Sequence, residues 1–127
     1  MRKISKLFIF ICSVLFLSAC NATAVESKDY SPDETNVKFL GRAYYAEEVL
    51  WMCHSGTGAA FEVDAKKLEI TILGDNRASM VEDDGSAARI AVVVNGKRLV
   101  DEMIIDTFQT FTVFDEAKPV KGEVQVI

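Results

Sequence analysis

The sequence predicts an all-β domain, a sandwich or jelly roll, and three observations carry that prediction. From Val37 onward, short apolar runs are broken every 8 to 12 residues by turn formers, the spacing of strands in two packed sheets. In Leu68-Glu69-Ile70-Thr71-Ile72 apolar and polar residues alternate, so one face is buried and the other is wet. Nothing between Val37 and Ile127 sustains the 3.6-residue apolar period of a helix.

Taken in chain order, the first expected strand is Val49 to Cys53, followed by Ala59 to Val63 and Leu68 to Leu73. The polar stretch Asp75 to Ala88, with Glu82-Asp83-Asp84-Gly85-Ser86, reads as an exposed loop. Arg89 to Val94 and Arg98 to Ile105 flank Asn95-Gly96, and this dipeptide suits the two positive φ angles of a type I′ turn. The two runs therefore form a tight antiparallel hairpin. Phe108 to Phe114 and Glu123 to Ile127 complete the set.

The region ahead of this domain has a different character. Arg2, Lys3 and Lys6 precede 11 residues, Leu7 to Leu17, that are apolar except for Ser13. That is the charged and apolar part of an export signal, and it is well short of the roughly 20 residues of a spanning helix. Leu17-Ser18-Ala19-Cys20 resembles the lipobox of bacterial lipoproteins. The resemblance implies cleavage after residue 19 and a Cys20 carrying several acyl chains, since one chain anchors only marginally. Residues 1–19 are then the signal, 20–35 the lipidated end and a polar tether containing Pro32, and 36–127 the β domain. Asn21 in place of aspartate after the anchor resembles an outer-membrane sorting signal, so the expected location is the outer membrane or cell surface.

Removing the signal leaves 108 residues, with 11 basic side chains against all 19 acids, a net charge of −8. Nucleic acid is an unsuitable partner for such a chain, because its affinity comes from neutralised phosphates. With Cys12 in the signal and Cys20 lipidated, Cys53 stands alone, no disulfide framework exists, and burial is expected to keep the thiol inert.

Asn36-Val37-Lys38-Phe39-Leu40-Gly41-Arg42-Ala43-Tyr44-Tyr45, Leu50-Trp51, Ser55-Gly56-Thr57-Gly58 and Phe61 follow one another in an ordered series. Lys66-Lys67-Leu68, Gly74-Asp75, Ala88-Arg89-Ile90-Ala91-Val92 and Asn95-Gly96 continue it. The series resembles the N-terminal domain of the family-2 carbohydrate esterases over nearly all of the folded part. The resemblance implies a non-catalytic antiparallel β-sandwich of jelly-roll type, ahead of an SGNH hydrolase domain that deacetylates polysaccharides in the manner of an acetyl xylan esterase. That hydrolase domain, in cis or in trans, is the implied protein partner, and acetylated polysaccharide is the implied ligand. The SGNH domain is not in these 127 residues. The other reading is a standalone lipid-anchored lipoprotein that binds glycan or protein.

Catalysis within this chain has little to build on. Gly74-Asp75-Asn76 mimics the SGNH nucleophile block, but Asn76 has no nucleophilic hydroxyl. His54 is the single histidine and is expected as a half-buried strand-end residue. Cys53 and His54 fall on opposite faces if both lie on a strand, and Ser55 reaches His54 only if the chain turns at Gly56. No catalytic residue is therefore assigned, and no cofactor is expected. A zinc site usually needs four ligands, and Glu82-Asp83-Asp84 lacks calcium-loop spacing, so no metal is assigned either. Tyr44, Tyr45 and Trp51 are the carbohydrate-contact candidates, because flat aromatic faces stack on sugar rings. Trp51 shares a strand face with Val49 and Cys53, which favours the core for it, whereas one of Tyr44 and Tyr45 points outward.

Overall fold

The computed structural model describes residues 26–76, 78 and 87–127. The expected export signal, Cys20 and the acidic run Glu82-Asp83-Asp84 lie outside the described residues. Among the described residues the fold is all β, with antiparallel pairing throughout. The strands are β1 (Lys38–Leu40), β2 (Ala43–Ala46), β3 (Val49–Met52), β4 (Gly58–Ile72), β5 (Arg89–Val94), β6 (Lys97–Met103) and β7 (Gln109–Val126). They form a five-stranded sheet in the order β1-β4-β7-β5-β6 and a separate two-stranded sheet, β2-β3.

Two pairs of expected strands are fused. Ala59 to Val63 and Leu68 to Leu73 are parts of β4, while Phe108 to Phe114 and Glu123 to Ile127 are largely parts of β7. Their polar connections do not turn away, because they pair with each other. Asp64 lies opposite Lys121, and Asp64 Oδ2 meets Lys121 Nζ at 2.8 Å. Ala65 faces Val120 and Lys67 faces Asp115, which leaves Lys66 opposite the four residues from Glu116 to Pro119. This bulge accommodates Pro119, which has no N–H to give to a ladder.

A second irregularity leaves Val113 extra between the pairs Leu68–Phe114 and Glu69–Thr112. It accounts for Val113 and Phe114 both being buried although they are neighbours in sequence. The expected alternation in β4 is present, with Leu68, Ile70 and Ile72 turned inward and Glu69 and Thr71 exposed. Thr71 and Thr110, paired across the ladder, share a hydroxyl hydrogen bond of 2.9 Å on the wet side.

The Asn95-Gly96 hairpin forms as the dipeptide dictates, with φ of 50° and 79° and Val94 opposite Lys97. Ile90 and Val92 from β5 and Val124 from β7 are the largest side chains buried almost completely. Burial of each such side chain contributes about 1.5–3 kcal/mol. Val94, Val100, Ile72, Phe111, Val113, Phe114 and Val126 close the core around them. Pairing continues to the last residue, where Ile127 and Ala91 exchange backbone hydrogen bonds of 2.7 and 2.9 Å. Of the loop expected at Asp75 to Ala88, Asp75 and Asn76 are exposed but Ala78 is buried.

Candidate functional site

The β2–β3 hairpin carries two exposed aromatic side chains, Tyr44 and Trp51. Its register sets Tyr44 opposite Trp51 and Tyr45 opposite Leu50. Directly opposed residues share a face and successive residues alternate. One face is therefore Tyr44, Ala46, Val49 and Trp51, and the other Ala43, Tyr45, Leu50 and Met52. Met52 packs against the main core, which points the second face inward and the first to solvent.

Trp51 is accordingly 44% exposed and Tyr44 53% exposed, which corrects the expectation that Trp51 packs in the core. Val49, Trp51 and Cys53 do share one parity, but it is the outward one, and a shift of one residue reverses every side chain of a strand. Cys53, just past the end of β3, is also exposed rather than buried. Of the two tyrosines, Tyr44 points outward and Tyr45 is half-buried.

The Tyr44 and Trp51 rings lie nearly parallel, with 8° between their planes and centroids 6.1 Å apart. This geometry suits an offset stacked pair, which is stabilised by about 0.5–1.5 kcal/mol beyond its area burial. Tyr44, but not Trp51, borders a shallow, open cavity of about 540 Å³, together with Asp33, Glu34, Phe39, Ala43 and Tyr45.

The wall at Asp33 is an organised turn. Asp33 Oδ1 accepts from Thr35 N at 2.9 Å, Thr35 Oγ1 at 2.6 Å, Asn36 N at 3.2 Å and Asn36 Nδ2 at 3.2 Å. The Thr35 hydroxyl, helped by the two backbone N–H groups, holds the Asp33 carboxyl below the usual aspartate range.

The tip of the hairpin was not legible as a site in the sequence. Glu47 and Glu48 form its two-residue turn with φ of 53° and 62°, angles that ordinarily select Asn-Gly. Two non-glycine residues held there cost about 1 kcal/mol each. The available signal was the two-residue gap between Tyr44-Tyr45-Ala46 and Val49-Leu50-Trp51.

His54 lies in the loop after β3 and is exposed rather than half-buried. Its backbone carbonyl accepts from Thr57 Oγ1 at 2.5 Å and from Thr57 N at 3.1 Å, so His54 organises that turn through its main chain. Gly74 of the nucleophile-like block has a structural role: a Cβ there would lie 2.6 Å from the Asp106 carbonyl oxygen. Among the described residues no group of three or more His, Cys, Asp or Glu side chains could hold a metal ion, and no helix is long and apolar enough to cross a membrane. Comparison with protein families, with characterised proteins and with solved structures returns no match.

Proposed function

We propose that this chain is a non-catalytic β-module, held at the outer membrane or cell surface by a lipidated Cys20, that binds polysaccharide on the Tyr44–Trp51 surface. The observation that carries the reading is the exposed, nearly parallel ring pair of Tyr44 and Trp51. An exposed aromatic pair can serve as a binding surface, because a sugar ring offers a flat C–H face that stacks on an aromatic ring. The ordered resemblance to the family-2 carbohydrate esterases names the setting, which is deacetylation of polysaccharide by an SGNH hydrolase domain working beside this module.

Two features support the finer parts of that reading. The first half of β7 returns toward β6, so that Leu99, Val100 and Glu102 line a gap of about 350 Å³ together with Gln109 to Thr112. This coiling of the sheet is in keeping with a jelly roll. Leu73, Met103, Ile105 and Phe108 are exposed, at the end where Gly74 N–H donates to the Thr107 carbonyl. An apolar end of this kind suits packing against a hydrolase domain.

A standalone lipoprotein binding glycan or protein is favoured by a different observation, a contiguous core with no unpartnered buried side-chain polar atom among the described residues. Affinity electrophoresis of the mature chain in gels cast with acetylated xylan tests the shared claim. The expected result is retardation that Trp51→Ala abolishes. Equal mobility of both proteins in every polysaccharide gel refutes glycan binding at this surface.

A further inference from the structure

Strand β2 has a free edge. Among the described residues it pairs with β3 alone, and Glu47-Glu48 closes a two-residue turn between them. Ala46 and Val49 therefore exchange hydrogen bonds, and so do Tyr44 and Trp51 two residues on, because bonded and non-bonded pairs alternate along an antiparallel ladder. The N–H and C=O groups of Ala43 and Tyr45 are left pointing away from β3. Ala43, Tyr44 and Tyr45 all line the open cavity of about 540 Å³. Their side chains alternate between the two faces, so the cavity runs along the strand edge. Its other lining residues are Phe39 and the Asp33-Glu34-Thr35 turn.

The edge at β6 is blunted. It carries Lys97, Arg98, Asp101 and Glu102 and a bulge against β5, devices that deter the addition of a strand. Ala43-Tyr44-Tyr45-Ala46 has no charge, no proline and no register shift. We infer that the β2 edge takes up an extended basic peptide as a further strand, seated in this cavity. Ala43 and Tyr45 each offer one donor and one acceptor, which holds a peptide of about four residues at the ~3.3 Å rise of a strand. Charge complementarity sets the class of peptide. Asp33 and Glu34 line the cavity, and the four hydrogen bonds of the Asp33 turn all end on Oδ1, leaving Oδ2 outside the turn. With a chain net charge of −5, an acidic segment is repelled, whereas lysine or arginine gains charge-assisted hydrogen bonds. Main-chain groups of β2 carry this binding, which makes it independent of glycan binding on the Tyr44–Trp51 face.

The test is fluorescence anisotropy of a labelled acetyl-Lys-Val-Lys-Val-Lys-amide with the purified protein. This peptide is expected to bind, and its Glu-Val-Glu-Val-Glu counterpart to bind at least about tenfold more weakly. N-methylation of every peptide N–H keeps the charge and removes the donors, and should weaken binding about tenfold or more, the effect of two lost hydrogen bonds. Ala43→Pro removes one donor from the open edge, a position where proline is tolerated, and should weaken binding of the basic peptide about fivefold. Emission from Trp51, the single tryptophan of the chain, should stay as in the wild type and report an intact hairpin. Glu34→Gln should cost about threefold, and Glu116→Gln, on the β7 bulge, nothing.

Equal affinity of the wild type for the fully N-methylated peptide would mean bulk charge attraction and would overturn strand addition. Equal or tighter binding of the acidic peptide, or no binding of the basic one, would overturn it as well. Displacement of bound peptide by xylo-oligosaccharides would assign the cavity to the glycan surface, and a dimer that Ala43→Pro dissolves would assign the edge to a second copy of the chain. Either result also overturns the proposal.

Discussion

The side chain of Asn95 grips β7 across Gly122. Asn95 Nδ2 donates to the Lys121 carbonyl at 2.9 Å, and Asn95 Oδ1 accepts from Glu123 N at 3.1 Å. Between these contacts sits Gly122, with φ of 137°, where a Cβ would lie 1.8 Å from Asn95 Oδ1. One residue thus closes the β5–β6 turn and clamps the strand on which β5 is laid.

Separating these two roles gives the first prediction. Asn95→Gly keeps a backbone suited to the turn and loses both side-chain hydrogen bonds, so it should cost about 1–3 kcal/mol in urea unfolding. Gly122→Ala meets both the clash and an unfavourable φ, and should cost at least as much. A stable Gly122→Ala protein with an unchanged midpoint would refute the clamp.

The strained turn offers the opposite sign. Replacing Glu47-Glu48 with Asn-Gly matches the positive φ angles of the turn, and should stabilise the protein by about 1–2 kcal/mol. Thermal melts followed by circular dichroism check this, and a lower midpoint would contradict the described turn.

The exposed ring of Trp51 predicts red-shifted emission in the free protein and efficient quenching by acrylamide. Trp51→Ala should cost about 0.5–1.5 kcal/mol through the lost pairing with Tyr44, far less than truncation of a core tryptophan. A loss of several kcal/mol would return Trp51 to the core.

Acid should weaken the fold in a defined direction. Arg89 and then Arg98 hold the Asp101 carboxyl below the ordinary aspartate value of 3.8, and the Asp101–Arg98 contact is 3.0 Å. The folded pKa being the lower one, this stabilisation is complete above the unfolded value and is lost as pH falls through the folded one. The groups are exposed, so the effect is small and screened by salt. Stability against pH for wild type and Asp101→Asn, at low and high salt, should converge at the acid end and separate above it, most clearly at low salt.

Cys53 should label with a thiol reagent in the native protein, without denaturant, once Cys20 is lipidated or replaced. Protection until unfolding would place Cys53 inside. Cys20→Ser in the full precursor should abolish incorporation of radiolabelled palmitate.

How far the fold was legible depended on how local its causes are. The Asn95-Gly96 turn and the alternation of Leu68 to Ile72 are properties of a few adjacent residues, and they form as their chemistry dictates. The lengths of β4 and β7 are not local properties. Residues 64–67 and 115–121 look like loops taken singly, and they are strand because they pair with each other along one ladder, with a bulge that takes Pro119. The Tyr44–Trp51 surface shows the same limit. Both aromatics could be named in advance, but not that they stack, nor that Asp33 and Glu34 share a cavity with Tyr44.

By itself the sequence determined the all-β class, the hairpin at Asn95-Gly96 and the apolar residues available for a core, because turn chemistry and strand alternation act over neighbouring residues. The tertiary structure alone decided which face of β3 is wet. Strand parity is symmetric until something anchors one side, and Met52 against the core supplies that anchor. With that side settled, Trp51 turns to solvent, and the aromatic pair becomes a surface instead of packing.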